Sequence, residues 1–207
     1  MGIPVLILGE SGTGKSTSIR NFTDDEISII NVDGKRFPFK KNFSKVIKTD
    51  NATEIKRRML QTKSKVIVID DAQYIMANEF MRKRGEKGFE KFTDIGGNYF
   101  DIIEQVKSLP DDVIVYFLSH VEESPNGTVK AKTIGKMLDE KITIEGKFTI
   151  VLRTLVRDGE YFFTTQNSGY DTVKTPMGMF SASEIPNDLK AVDTAIRAYW
   201  GINKEDK

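Results

Sequence analysis

The sequence predicts an α/β fold in which a mostly parallel central sheet is flanked by helices on both faces. Three observations lead to this prediction: short apolar runs alternate with helical patterns, a glycine-rich turn follows the first run, and another run ends in two carboxylates. Short runs rich in β-branched residues are typical of buried parallel strands. We expect a single domain over residues 1–207.

The individual elements follow from the spacing of apolar residues. Strands are predicted at residues 3–8, 27–32, 66–69, 113–118 and 147–154. Helices are predicted at residues 15–22, 51–61, 71–80, 99–109 and 185–199. A C-terminal β-hairpin is expected to pair residues 149–156 with 161–165, because Asp158-Gly159 between them is a strong turn signal. Two charged, glycine-containing stretches, 81–98 and 122–135, are expected to be mobile loops.

Residues 9–16 form a complete phosphate-binding loop of the type G-x-x-x-x-G-K-[ST]. Its glycines allow successive N–H groups to point at one anion, and the following helix N-terminus favours negative charge. Lys15 is expected to reach the β- and γ-phosphates of ATP, and the Ser16 hydroxyl to bind Mg²⁺. The predicted nucleotide-binding residues are Gly9, Glu10, Ser11, Gly12, Thr13, Gly14, Lys15, Ser16 and Thr17.

A second part of the site is predicted where the strand at residues 66–69 ends in Asp70 and Asp71. In parallel sheets the carboxyl ends of the strands face the ligand. Asp70 is expected to hold Mg²⁺ together with Ser16. Asp71 is then placed to orient or deprotonate the attacking water.

Two further strand ends carry polar residues. The strand at residues 113–118 is followed by Ser119 and His120, to which we assign a γ-phosphate-sensing role. The strand at residues 27–32 is followed by Asp33, which either shares the water-activating role with Asp71 or caps a turn. The candidate catalytic residues are therefore Lys15, Asp71 and His120.

Composition excludes several classes of function. The 31 Lys and Arg residues nearly cancel the 30 Asp and Glu residues, so any nucleic-acid site must be a local patch. The absence of cysteine excludes disulfides, zinc–thiolate sites and thiol catalysis, and the single histidine excludes a histidine cluster. No apolar run is long enough for a membrane span. We expect a cytoplasmic protein.

Two basic stretches are candidate DNA-binding loops. Residues 81–92 interleave five cations with Phe89 and Phe92, which are able to neutralise phosphates and stack on unpaired bases. The second loop contributes three lysines, Lys130, Lys132 and Lys136. The alternative is that both phenylalanines pack in the core or in a subunit interface while the charges only solvate the loop.

The order of these motifs, with Phe117-Leu118 leading into Ser119-His120, resembles that of RecA-core P-loop ATPases. More narrowly, the chain is similar, to about Phe180, to small phage-encoded ATP-binding proteins of the RecA-core single-strand annealing family. The resemblance implies a RecA-like P-loop NTPase core, with the sensor strand lying between the loop strand and the magnesium strand. In recombinases a glutamate at the end of the second strand activates water. The residue here is Asp33, which leaves Asp71 as the better candidate base.

The resemblance also implies partners and an assembly. Members of this class bind single-stranded DNA through the loops that match residues 81–98 and 122–135. They form homo-oligomeric rings or filaments in which a neighbouring subunit supplies a cation to the nucleotide. The candidates for that cation here are Arg153, Arg157 and Lys174.

The expected function is that of a phage recombination ATPase that binds single-stranded DNA and promotes strand annealing or exchange. Two other nucleotide-dependent functions are alternatives to this one: a helicase loader or packaging ATPase, and a non-hydrolysing assembly switch. A small-molecule kinase is disfavoured, because residues 122–135 lack the arginines of a kinase lid.

Overall fold

A computed structural model describes residues 1–202 of the chain. Its centre is an eight-stranded sheet. The strands of this sheet are β1 (Ile3–Leu8), β2 (Ile27–Asn31), β3 (Val46–Lys48), β4 (Val66–Asp70), β5 (Ile114–Ser119), β8 (Ile150–Arg157), β9 (Glu160–Thr164) and β10 (Glu184–Pro186). Their order across the sheet is β10-β9-β8-β1-β5-β4-β2-β3. The pairs from β8 to β3 are parallel, whereas β8–β9 and β9–β10 are antiparallel. The prediction of a mostly parallel sheet is confirmed.

Helices cover both faces of the sheet. One face is packed against α1 (Ala52–Gln61), α2 (Tyr74–Arg82) and α3 (Glu90–Gln105). The other face is packed against a short 3₁₀ helix, Ser16–Asn21, and α4 (Leu189–Trp200). Within residues 1–202, none of the helices combines the length and the apolar character that crossing a bilayer requires.

Successive side chains along each strand point to opposite faces of the sheet, so that each face has its own hydrophobic core. In β1, Leu6 and Leu8 belong to the core under α1–α3, whereas Val5 and Ile7 belong to the core under α4. Because both faces are buried, every residue of β4 and β5 is buried. Apart from the polar residues Asp70 and Ser119 at their C-terminal ends, the two strands are therefore continuously apolar, which made them easy to predict.

The predicted loop at residues 81–98 is wrong in its second half, where α3 begins at Glu90 instead of residue 99. Two adjacent glycines, Gly96 and Gly97, make this segment resemble a loop. Gly96 is instead a packing residue, since a Cβ at its position would lie 2.7 Å from Met137 Cε. The helix thus uses glycine for a close approach of another segment.

Several other boundaries differ. Asp71 was predicted as a helix start, but it has φ 59° and α2 begins at Tyr74. The predicted helix at residues 15–22 is a 3₁₀ helix, Ser16–Asn21, rather than an α-helix. Strand β8 begins three residues after the predicted start at residue 147 and ends one residue past the predicted hairpin arm 149–156. The stretch 122–135 contains two short antiparallel strands, β6 (Val121–Glu123) and β7 (Val129–Ala131). Residues 185–199 divide into β10 and α4, which Asp188 caps.

A buried ion pair fixes α4 against the sheet. Arg197 Nε lies 2.7 Å from Asp193 Oδ2, and both side chains are at most 5% exposed. Tyr116 of β5 donates its hydroxyl to the same carboxylate at 3.0 Å. The guanidinium also donates to the backbone carbonyls of Lys65 and Asp112. All charged and polar groups of this network therefore have partners, as a buried pair requires.

We predict that Asp193→Asn lowers the free energy of unfolding by about 3 kcal/mol or more, because it leaves the Arg197 charge buried without a counter-charge. Arg58→Ala is the matched control: Arg58 pairs with Glu54 at the same i,i+4 spacing but on the exposed surface. Its removal is expected to cost at most about 1 kcal/mol. Urea denaturation measures both values, and equal losses would contradict the role given to burial.

Candidate functional site

The carboxyl ends of the parallel strands meet at one edge of the sheet. Leu8 of β1 lies beside Ser119 of β5, and Asn31 of β2 lies beside Asp70 of β4. The segments that follow these strands surround a cavity of about 490 Å³. It is lined by Ser11, Gly12, Gly14, Lys15, Ser16, Thr17, Lys35, Arg36, Pro38, Asp70, Asp71, His120 and Tyr161.

The glycine-rich loop is held in a curled conformation by contacts with β5 and β8. Gly12 and Gly14 have φ values of 79° and 95°, a region that glycine adopts without strain. Thr13 Oγ1 lies 2.8 Å from the carbonyl oxygen of Glu10 and 2.5 Å from Thr154 Oγ1 of β8. A Cβ on Gly9 would lie 1.9 Å from the same Thr154 hydroxyl oxygen. Contacts within the chain therefore support the curled shape of the loop.

Lys15 lies across the mouth of this loop. Its ammonium group donates to the carbonyl oxygens of Gly9 and Glu10, at 2.9 and 2.8 Å. Burial lowers the pKa of Lys15 to about 8, although the charges of Asp71 and Asp70 act in the opposite direction. The cation is thus poorly hydrated, and an anion entering the cavity would be a stronger partner than two carbonyls.

Ser16 and Asp70 are joined by a hydrogen bond from the Ser16 hydroxyl to Asp70 Oδ1, at 2.8 Å. Burial raises the pKa of Asp70 to about 6, and the hydrogen bond from Ser16 offsets this only in part. A hydroxyl and a carboxylate beside a phosphate-type loop are hard oxygen ligands. They fit Mg²⁺, which is usually bound by one or two carboxylates together with substrate phosphates and water.

Asp71 is held between two groups with positive or potentially positive charge. Its Oδ2 lies 3.3 Å from Lys35 Nζ, and its Oδ1 lies 3.6 Å from His120 Nε2. Burial raises the pKa of Asp71, but the nearby His120 ring and the charge and hydrogen bond of Lys35 outweigh it, so the pKa is lowered overall. The carboxylate is therefore ionised in the folded protein.

Lys35 contacts both Asp33 and Asp71, the two aspartates that the sequence offers for the activation of water. Its ammonium lies 2.8 Å from Asp33 Oδ2 as well as 3.3 Å from Asp71. The hydrogen bond to Asp33 is the main cause that raises the pKa of Lys35. Asp71 lines the cavity and Asp33 does not. Sequence analysis missed Lys35, although its position two residues after a strand-end carboxylate was a usable signal.

Ser119 and His120, paired in the sequence analysis, occupy different surroundings. His120 lines the cavity, and its backbone N–H donates to Gln73 Oε1 at 3.1 Å. Ser119 is 1% exposed, is not among the lining residues, and hydrogen-bonds Tyr99. Only His120 is therefore placed to meet a ligand. His120 also lines a smaller cavity of about 190 Å³ that reaches Lys132 in the segment after β7.

Three residues, Arg153, Arg157 and Lys174, were candidates for the cation that reaches a neighbouring subunit's nucleotide. None of them lines the cavity of its own chain. Arg157 is paired with Glu184 at 2.6 Å, whereas Lys174 is exposed and Arg153 half-buried. The antiparallel strand β9 instead brings Tyr161 to the cavity, where its ring packs against Gly14. Tyr161 was not a predicted site residue: the hairpin that carries it was predicted, but not the pairing of β8 with β1 that brings the hairpin to the loop.

Carboxylates of the same chain neutralise half of the eight cations in the two basic loops. Four of their cations form ion pairs: Arg82 with Asp50, Lys83 with Glu79 and Asp94, Lys130 with Asp139 and Glu122, and Lys136 with Glu140. Phe92 stacks on Phe80 with ring centroids 5.7 Å apart, so for Phe92 the packing alternative holds. Phe89 is 88% exposed.

Comparison of the chain with models of known protein families gives no match, and a search of curated proteins gives none either. The interpretation of this site therefore depends on its motifs and its geometry.

We predict that Lys15→Met lowers nucleotide affinity roughly ten- to a hundredfold, since hydrogen bonds to charged groups contribute about 1.5–3 kcal/mol. The fold should be unharmed, because burial disfavours the charged form of Lys15 and methionine removes that charge. Titration with a fluorescent ATP analogue and thermal denaturation measure the two effects. Lys40→Met, at an exposed position outside the cavity, is the control. Near-wild-type affinity in Lys15→Met would contradict the assignment.

Proposed function

We propose that the protein binds ATP with Mg²⁺ in the 490 Å³ cavity and hydrolyses it to ADP and phosphate. One observation carries this proposal: residues from three separate strand ends surround a single cavity next to the phosphate-type loop. They are Lys15, Ser16, Asp70, Asp71 and His120. This is the set of groups that phosphoryl transfer requires, namely anion donors, metal ligands and a group that positions water.

Each residue has a role that follows from its contacts. The backbone N–H groups of the loop and Lys15 hold the β- and γ-phosphates. Ser16 and Asp70 hold Mg²⁺, which when bound neutralises charge on the transferring phosphoryl group. Asp71 orients the attacking water and accepts its proton. His120, at 3.6 Å from Asp71, fixes the orientation of that carboxylate.

Lys35 sets the state of the proposed base. With Lys35 against it, the Asp71 carboxylate is stabilised as an anion and is a weaker proton acceptor. A γ-phosphate in the cavity offers Lys35 a stronger partner than either aspartate. Binding of ATP would then release Asp71 toward water. Lys35 is thus a positioning residue in the proposed reaction.

The proposed biological role is that of a RecA-like phage recombination ATPase that binds single-stranded DNA and promotes annealing or exchange. The order of the motifs along the chain supports it, as described for the sequence. The sheet order supports it as well, since β5 lies between β1 and β4, which is the arrangement that the resemblance implies. We also propose assembly into a homo-oligomeric ring or filament, in which Arg153, Arg157 or Lys174 reaches the nucleotide of the adjacent subunit.

An assembly switch that binds ATP without hydrolysing it is the second candidate. The observation that favours it is the engagement of Asp71 by both Lys35 and His120. If Lys35 stays on Asp71 when ATP binds, no carboxylate in the cavity is free to accept a proton from water. ATP turnover and particle size, measured together with and without single-stranded DNA, separate the two candidates.

We predict that Asp71→Asn reduces ATP turnover at least about a hundredfold while ATP–Mg²⁺ affinity stays near wild type, because a general base is lost and binding groups are kept. Asp70→Asn should instead weaken the magnesium-dependent part of nucleotide binding. Asp33→Asn is the matched control, since it also removes a carboxylate that contacts Lys35 but does not line the cavity.

Steady-state phosphate release and analogue titration at several Mg²⁺ concentrations supply the measurements. If Asp33→Asn abolishes turnover and Asp71→Asn does not, the base is Asp33. If wild-type protein binds ATP but neither hydrolyses it nor responds to single-stranded DNA, the assembly switch is the function.

A further inference from the structure

The strongest charge concentration in the chain lies in a segment that sequence analysis did not single out. Residues 35–48, here called the basic segment, contain six Lys and Arg residues and no Asp or Glu. The formal net charge of the whole chain is only +1, so the remaining residues together carry −5. Positive charge is therefore concentrated on one connection, between β2 and the end of β3.

The basic segment borders a cavity of its own, with a volume of about 460 Å³. Its lining is Asn31, Lys35, Arg36, Phe37, Phe39, Lys41, Asn42, Phe43, Val46 and Lys48. No carboxylate is among these residues. Lys35 and Arg36 also line the proposed nucleotide cavity, so the two cavities adjoin.

The six cations of the segment fall into three groups. Lys35 is paired with Asp33 and Asp71. Lys41 and Lys45 are structural, because they donate to backbone carbonyls of residues 20, 22 and 25. The side chains of Arg36, Lys40 and Lys48 have no hydrogen bond or ion pair within residues 1–202. In the loops first considered for DNA binding, four of the eight cations face carboxylates, and acidic residues such as Glu86 and Glu90 lie in sequence among the others. Charges without partners are the ones available to an external polyanion.

Aromatic side chains give the segment a fixed shape. Phe37 and Phe39 are stacked with ring centroids 5.4 Å apart, and Phe43 meets both rings edge-on at 5.9 and 6.3 Å. Phe43 is buried, whereas Phe37 and Phe39 are half-buried and line the cavity. Aromatic faces in a cationic groove suit unpaired bases, which are free to stack, better than a duplex.

We propose that the basic segment is a binding surface for the backbone of single-stranded DNA, placed directly beside the nucleotide site. The proposal rests on the proposed function for its partner, but it moves the main phosphate contacts away from the loops 81–98 and 122–135. Arg36, which lines both cavities, lies where bound nucleotide and bound DNA would meet.

The test compares two double variants that remove the same amount of charge. Lys40→Ala/Lys48→Ala removes two cations without partners, both outside the nucleotide cavity. Arg82→Ala/Lys83→Ala removes two cations that are ion-paired. Fluorescence anisotropy on a labelled oligothymidine, with a non-hydrolysable ATP analogue present, is measured across about 50–200 mM salt. Affinity for a fluorescent ATP analogue is measured for every variant.

The expected result is that Lys40→Ala/Lys48→Ala lowers the slope of log affinity against log salt by about 1.4, or 0.7 for each lost phosphate contact. The paired-cation variant should keep the wild-type slope. Nucleotide affinity should be unchanged in both, and an unlabelled duplex should compete poorly.

Four outcomes would overturn the proposal. They are an unchanged slope in Lys40→Ala/Lys48→Ala, an equal fall in both double variants, equal competition by the duplex, and a fall in ATP affinity without a change in DNA binding. A wild-type protein that binds ATP but no DNA would also overturn it and leave the ATPase proposal standing. A wild-type protein that binds no ATP would overturn the ATPase proposal. The proposal for the basic segment would still be decided by the salt dependence of oligothymidine binding, measured without the ATP analogue.

Discussion

Parallel pairing of β5 with both β1 and β4 is the constraint on which the site depends. It aligns the carboxyl ends of three strands, so that the glycine-rich loop, the two aspartates and His120 emerge at one edge. β5 is buried at all six positions, and both neighbours need continuous apolar sequence to flank it. The stability of the core and the geometry of the site therefore come from the same hydrogen-bonded ladders.

The charged residues of the site lower the stability of the folded protein. Burial lowers the pKa of Lys15 and raises that of Asp70, so each side chain is less favourably charged in the fold than in water. Asp71 adds a left-handed backbone conformation at φ 59°, which is uncommon for residues other than glycine. Unfavourable charge and strain in one small region are typical of a site kept for ligand binding, because ligand charges compensate them.

The sequence allowed prediction of features encoded by contiguous residues, and not of those that depend on tertiary contact. The loop at residues 9–16 and the strand leading into Asp70 are local patterns, and the sheet and its helical layers follow from them. The helix at residues 90–98 was not predicted because it contains Gly96, which usually indicates a loop. Gly96 is needed there for close packing against Met137, a contact that cannot be inferred from neighbouring residues. Tyr161 reaches the cavity because the predicted hairpin pairs with β1 through β8, and Lys35 acquires its position only when β2 lies beside β4.

Lys35 also shows how charge connects the two cavities. It is the cation of the basic segment that has acidic partners, and those partners are Asp33 and Asp71. The neighbouring Arg36 has none within residues 1–202 and borders both cavities. A phosphate that draws Lys35 away from Asp71 necessarily changes the charge beside Arg36, since the two residues are adjacent in the chain. Charges closer together than the Debye length interact even on an exposed surface, where salt screens them in part. If both proposals hold, occupancy of the nucleotide cavity and affinity of the basic segment for a polyanion would be coupled by electrostatics, and linkage would make that coupling reciprocal.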